Sequence, residues 1–326
     1  MRIAVVGATG EVGRMMLQCL EDFQIPVTDL SLFASERSVG TELFHNDRSY
    51  KVQELKNSAL LAHRDYTLFS AGAGIARSFA PIAAEASEIV IDNSSAFRNE
   101  ERIPLVVPEV NGDLLAGYSG IVANPNCSTI QIIIPLAALD TQYGLKKLVV
   151  STYQAVSGSG NKGIQTLISQ RRGDLDKGIY PEIIDLNVVP QIGAFGDDGY
   201  AQEETKMHNE TRKILRKSEI QVSATCVRVP VLYGHSVSVY AEFEQEIVLE
   251  EAEALLRDMP SVIYDPYSYM TPRDLGSSND TFVSRLRYGV DRRSLSFWNV
   301  GNNVRIGAAA NAVRILKAHA EQNGLI

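Results

Sequence analysis

The 326-residue sequence predicts an α/β protein, with a doubly wound parallel-sheet domain followed by a central α+β domain. Three observations carry this reading. Short β-rich runs alternate with helical stretches through the first third, a glycine triplet follows the first run directly, and beyond Cys127 the strands lengthen and alternate apolar with polar residues.

The strand candidates of the first region are "RIAVV" (2–6), "DLSLFA" (29–34), "YTLFS" (66–70), "EIVID" (88–92) and "GIVAN" (120–124), with helices expected over 11–22 and 74–85. That rhythm implies parallel strands joined by right-handed crossovers. In "SVSVYAEFEQEI" (236–247), Val237, Val239, Ala241 and Phe243 alternate with Ser238, Tyr240, Glu242 and Glu244, which predicts a sheet with one buried and one polar face. A last helix from about 304 to 321 carries Ile306, Ala310, Val313, Ile315 and Leu316 on one side. The expected division is residues 1–125, rejoined by the helix at 304–326, and residues 126–303.

With 31 Lys and Arg against 39 Asp and Glu the net charge is −8, and no basic cluster falls on a predicted element, so nucleic acid is not the expected partner. Apolar runs reach only about ten residues, short of a membrane span. The chain also enters a strand pattern at once, without a signal peptide, so a cytoplasmic location is expected. Cys19, Cys127 and Cys226 are far apart, and no His pair has ligand spacing; neither disulfides nor a metal site are expected.

The first turn reads "VVGATGEVG", with Gly7, Gly10 and Gly13 between an apolar strand and a helix pattern. Glycines there permit a tight turn and let a pyrophosphate approach the helix N-terminus, as in Rossmann-like domains. The expected contacts are Gly7, Thr9, Gly10, Glu11, Val12 and Gly13; the alternative is a plain strand-to-helix turn. At the end of the second strand, Ser35, Arg37 and Ser38 suit a ribose 2′-phosphate and hence NADP, while Glu36 works against it.

"ANPNCSTIQIIIPLAAL" (123–139) supplies a nucleophile. If Ile130, Ile133, Ile134, Ala137 and Ala138 form an inward helical stripe, Cys127 falls at the N-terminal edge, where Ser128 and Thr129 can cap. The helix dipole there favours thiolate, and the first N–H groups with the Asn124 and Asn126 amides are candidates for holding an oxyanion. A dinucleotide sheet followed by a nucleophilic cysteine suggests acyl-thioester redox chemistry. Of the histidines, His45, His63, His208 and His319 stand in polar or helical contexts and are expected to be solvated. His235 opens a strand and is either a proton shuttle or a structural histidine.

Several motifs in order, "VGATGEVG", "ASERSVG", "DNSSAFR", "LVVPEVN", "NPNCSTIQ", "TYQAVSGSGNKG", "NVVPQIG", "EETKMHNET", "VRVPVLYGHS" and "GNNVRIGAAANAV", give a resemblance to the aspartate-semialdehyde dehydrogenases over essentially the whole chain. The resemblance implies NADPH-dependent reductive dephosphorylation of L-aspartyl 4-phosphate to aspartate semialdehyde and phosphate, on the route to lysine, methionine, threonine and diaminopimelate. It implies Cys127 as acyl-thioester nucleophile, His235 as acid/base and Gln154 beside the sulfur. Arg228 would take the substrate carboxylate and Glu203 its ammonium, with Asn126 a further substrate contact and Lys206 with Arg98 on phosphate. Ser157, Gly158 and Asn303 would be additional nucleotide contacts, and the central catalytic/dimerisation domain would form a homodimer. "SGSGNKG", "YGHSVSV" and "FSAGAGIA" depart slightly from the family's forms without removing a catalytic group.

Spacing alone leaves two points open. Arg228 and His235 are seven apart, which puts them on opposite faces of an extended chain unless it bends over 230–234; Glu203 and Lys206, three apart on a helix, read as a surface ion pair. The rivals are an N-acetylglutamyl-phosphate type reductase, which has no use for Glu203, and a non-catalytic dinucleotide-binding paralogue.

Overall fold

In the computed structural model, which describes residues 1–326, the chain divides into Met1–Pro125 with Ala308–Ile326, and Asn126–Gly307. In the first unit β1 (Arg2–Val6) is central. It pairs in parallel with β2 (Asp29–Ala34) on one side and β6 (Arg64–Phe69) on the other. The hairpin β3 (Glu42–His45) and β4 (Arg48–Lys51) stands apart, whereas β5 (Gln53–Glu54) extends the sheet beyond β2. On the other side follow β7 (Ser87–Asp92) and β8 (Gly120–Ala123), giving the order β5-β2-β1-β6-β7-β8. Strand order therefore reverses at β1, and a sheet of this kind takes ligands at the carboxyl end of such a switch point.

Both faces are covered. Ile3 and Val5 pack under α1 (Glu11–Asp22) and α9 (Ala310–Gln322) through Met16, Leu20, Val313 and Leu316. Ala4 and Val6 pack under α3 (Ala73–Ala84), whose Ala76, Ala80 and Ala83 admit a close helix. The short helices α2 (Asn57–Leu60) and α4 (Pro108–Asn111) complete the unit. Two sequence expectations change here. The last helix begins at Ala310, after a π turn at Arg305–Ala309. His45 and His319 are buried: His319 Nδ1 lies 2.8 Å from the Tyr66 hydroxyl and its Nε2 3.0 Å from the Tyr118 carbonyl, partners far away in sequence.

The second unit is a six-stranded mixed sheet. β9 (Leu145–Gln154) pairs in parallel with β10 (Gln221–Arg228) and antiparallel with β11 (His235–Phe243). The sheet continues through β14 (Ser294–Gly301) and β13 (Thr281–Tyr288) to β12 (Val262–Asp265). Val237, Val239, Ala241 and Phe243 are buried as their alternation predicts. α5 (Cys127–Tyr143), α7 (Gln202–Leu215) and α8 (Leu249–Asp258) complete its core, while α6 (Gly160–Gln170) follows β9.

α5 is not the one-sided helix that was expected. Residues 128–136 are all buried, and Ala137 and Ala138 are the half-exposed ones. Pro135 lies inside it and cannot donate to the Gln131 carbonyl. Thr281 of β13 fills that gap, donating from Oγ1 to Gln131 O at 3.0 Å while accepting from Asn299 Nδ2 at 2.7 Å. Thr281→Val keeps the shape and strands both groups in the core. It should lower the urea unfolding free energy by about 1–3 kcal/mol.

Candidate active site

One row of residues crosses the second sheet at its edge. Arg228 of β10 is paired with Gln154, the last residue of β9; the antiparallel register brings His235, the first residue of β11, to the other side of Gln154, and His235 is paired with Gly301. Residues directly opposite on neighbouring strands point to the same face. The sheet thus resolves the parity problem: Arg228 and His235 end and begin different strands that flank β9, and both are buried.

The Ala155 main chain holds the pair. Its N–H donates to His235 Nδ1 at 3.0 Å and its carbonyl accepts from Arg228 Nη1 at 2.6 Å. Because Nδ1 is an acceptor, the neutral imidazole carries its proton on Nε2, an atom that is buried and has no partner in the chain. Burial first, and the Arg228 cation second, push the His235 pKa down to about 3. Gly158 leaves room beside them, since a Cβ there would lie 2.9 Å from Arg228 Nη1 and 3.3 Å from His235 Nε2.

Cys127 is the first residue of α5, half-buried. One turn on, and so on the same side of the helix, Gln131 Nε2 donates to the His235 carbonyl at 3.2 Å. The cap is Asn126, not Ser128 or Thr129: its Oδ1 accepts from Ser128 N at 3.0 Å and Thr129 N at 3.3 Å. This corrects the expected oxyanion site. Those N–H groups are spent on the cap, Asn126 Nδ2 donates to Glu203 Oε1 at 2.7 Å, and Asn124 Nδ2 is committed to Asn93 Oδ1 and the Ala308 carbonyl. The dipole of α5 remains to favour a thiolate. Cys226, by contrast, is buried, and burial pushes its thiol up to about 12.

Glu203, buried at the start of α7, is no surface ion pair. Its Oε1 also accepts from Gln154 Nε2 at 3.0 Å, and Oε2 accepts from Lys206 Nζ at 2.9 Å. Burial alone would raise its pKa; the Lys206 cation and the hydrogen bonds from Lys206, Gln154 and Asn126 outweigh that and hold it at about 2. Two turns along α7, Glu210 accepts from the Asn126 N–H at 2.5 Å. The spacing of the two acids in "EETKMHNET" carries this signal, because residues seven apart share a helix face. Asn303 and Ser157 are turned toward one another: Asn303 Nδ2 donates to Ser157 Oγ at 3.0 Å, and Asn303 Oδ1 accepts from Gly234 N at 2.9 Å. Lys206 belongs to this unit and Arg98 to the first, where Arg98 is buried and donates to the Asn93 carbonyl at 2.9 Å.

In the first unit a cavity of about 390 Å³ opens at the switch point, lined by Gly7, Thr9, Gly10, Ser35, Glu36 and Glu54 among others. Gly7 has φ +83°, and a Cβ on it would meet Ser70 Oγ at 2.9 Å; a Cβ on Gly13 would come 2.3 Å from the Gly7 carbonyl. α1 starts at Glu11 behind Gly10, which caps it with no side chain, and Val12 is turned into the core. Thr9 Oγ1 reaches Ser38 Oγ at 3.4 Å, and Arg37 is exposed. A glycine cradle against an uncapped helix start fits a dinucleotide pyrophosphate. Glu54 and Ser70, from β5 and the end of β6, were not singled out by the glycine spacing.

The family description "Semialdehyde dehydrogenase, NAD binding domain" matches residues 2–118, and "Semialdehyde dehydrogenase, dimerisation domain" matches 136–306. Aspartate-semialdehyde dehydrogenase of Aquifex aeolicus is 45% identical over 96% of both chains, and that of Bacillus subtilis is 44% identical over 98% of this chain and 97% of its own. The chain belongs to the aspartate-semialdehyde dehydrogenase family. Its fold is the family's as well: the crystal structure of aspartate semialdehyde dehydrogenase II from Vibrio cholerae complexed with ASA superposes with a TM-score of 0.94, at 39% identity and 98% coverage of both chains. As an aspartate-semialdehyde dehydrogenase family member, the chain carries a nicotinamide-dinucleotide-binding domain and a dimerisation domain. No helix is long and apolar enough to cross a membrane.

The depressed His235 pKa makes a pH prediction. Between its unfolded value near 6.5 and about 3, the unfolded chain binds a proton that the folded chain does not, so stability rises with pH across that window. In urea unfolding at a series of pH values, wild type should lose stability as pH falls through this window, and His235→Gln should lose less. Parallel curves would refute the buried neutral imidazole.

Proposed function

We propose that the protein catalyses the NADP-dependent interconversion of L-aspartyl 4-phosphate with aspartate 4-semialdehyde and phosphate, through an acyl-thioester on Cys127, in aspartate-family amino-acid biosynthesis. The observation that carries this is Cys127 at a helix start whose cap is tied, through Glu203, to the Gln154–Arg228–His235 row. In the biosynthetic direction the Cys127 thiolate attacks the acyl carbon, the carbon–sulfur bond forms and phosphate leaves with the electrons of the carbon–oxygen bond. NADPH, when bound, supplies the hydride that reduces the thioester carbon. The carbon–sulfur bond then breaks, returning thiolate and releasing aldehyde. His235 donates from Nε2–H to the oxygen on which charge gathers, and Gln154 orients the acyl group without competing as a base. Arg228 takes the substrate carboxylate through its planar fork. Glu203 takes the ammonium by exchanging Lys206, which together with Arg98 takes phosphate. A blocked amine would have no such exchange to make, which disfavours the N-acetylglutamyl-phosphate reading.

Arg37, Ser35 and Ser38 read the 2′-phosphate in this proposal, with the glycine turn on the pyrophosphate. The half-polar outer face of the second sheet, where Tyr153 and Trp298 rings lie 5.7 Å apart and Val149 is exposed, forms a homodimer with a second copy. A cytoplasmic site of action accords with three cysteines that form no disulfide.

The experiment is a spectrophotometric assay with aspartate semialdehyde, phosphate and NADP+, on wild type and on Cys127→Ser. Wild type should produce NADPH; the variant should fold and lose almost all turnover, because a hydroxyl there is barely ionised. Wild-type rates in Cys127→Ser would remove the thioester. Arg37→Ala should weaken NADPH far more than NADH, on the order of 1.5–3 kcal/mol. An equal loss for both cofactors would assign the 2′-phosphate elsewhere.

A further inference from the structure

"GNNVRIGAAANAV" contains a glycine that none of the roles above uses. Gly307 stands in the π turn Arg305–Ala309 without a left-handed backbone, so its conformation is open to any residue. Its surroundings are not. A Cβ on Gly307 would lie 2.7 Å from Cys127 Cβ, 3.1 Å from Cys127 Cα and 3.3 Å from the Cys127 carbonyl oxygen. Those atoms belong to the start of a helix, and no rotamer change could move them aside.

We infer that Gly307 is a positioning residue for the nucleophile: the bare backbone of the π turn covers one side of the Cys127 Cα–Cβ bond and limits the directions in which Sγ can point. Both sides of the contact are fixed. On one side, Asn302 O accepts from Arg305 N at 3.0 Å and Gly307 N at 3.3 Å, Asn302 Nδ2 donates to the Gly276 carbonyl at 3.3 Å, and Arg305 Nη1 donates to Asn279 Oδ1 at 3.0 Å. On the other, Asn126 and Glu210 hold the first turn of α5. Neighbouring Asn303 bonds the N–H of Gly234, so the same turn also braces the residue before His235. A π turn bulges the backbone outward by one residue, and such turns recur at functional sites. Here the bulge is what carries Gly307 onto the cysteine.

The inference rests on Cys127 being the nucleophile, and its readout is chosen to stand apart from turnover of any one substrate. Cys19 and Cys226 are buried, so alkylation of the native apoprotein by iodoacetamide reports on Cys127. In Gly307→Ala the added methyl displaces the helix start. The midpoint of the alkylation rate against pH should move upward and the rate at pH 7 should fall about tenfold, with kcat falling in step and KM for NADP+ unchanged. A wild-type alkylation profile in a folded Gly307→Ala protein overturns the inference, whether or not kcat falls. If Gly307→Ala does not fold, Cys127→Gly/Gly307→Ala removes one of the two clashing β carbons. Recovery of the melting temperature in the double variant supports the contact, and no recovery overturns it. Loss of the thioester reading itself would be seen separately, as undiminished turnover in Cys127→Ser.

Discussion

A single carboxylate holds the site's parts in register. Glu203 joins three elements that have no covalent reason to meet: α5 through Asn126, β9 through Gln154, and its own helix α7 through Lys206. A buried acid with an unfilled oxygen would be costly, and this one has both oxygens engaged and a cation beside it. The amide donors are oriented by it. Asn126 can present only its Oδ1 to the helix because its Nδ2 faces the carboxylate, so the cap on the nucleophile's helix and the orientation of Gln154 are decided together.

The residue following Gln154 works in a comparable way with opposite polarities. Ala155 offers its N–H to an imidazole and its carbonyl to a guanidinium, so neither side chain can turn without releasing Ala155. The imidazole's tautomer and the fork's direction follow from strand pairing, which is why these groups end and begin strands and do not sit on a loop.

The sequence reveals those parts whose cause is local. Gly7, Gly10 and Gly13 announce a tight turn because only glycine tolerates the approach of Gly13 to the Gly7 carbonyl, and the alternation at 237–243 announces a one-sided sheet. Cys127 is legible as a residue type at a helix start. Its surroundings were not, because their partners are distant: the Asn126 amide looks available until Glu203, on a helix 77 residues on, accepts from it. Asn, Ser and Thr cap almost equally well, so no local preference could choose among 126, 128 and 129. His319 sits among polar helical neighbours and is buried by Tyr66, 253 residues away. Pro135 argues against a continuous helix until the hydroxyl of Thr281 is known to be there.

The route of the chain also bears on how the molecule is made. α9 supplies Val313, Ile315 and Leu316 to the core beneath β1 and β6, yet it is encoded after the whole of residues 126–307. On the ribosome the first sheet therefore emerges with only α1 on that face, which stays partly uncovered until α9 has left the exit tunnel. Parallel strands with an open apolar face are prone to off-pathway association. The exposure is limited in time by synthesis of the second unit, whose sheet has its own core and can form first. The last thirteen residues of regular structure are thus a closing element, and a chain truncated before Ala310 would lack part of a core laid down three hundred residues earlier.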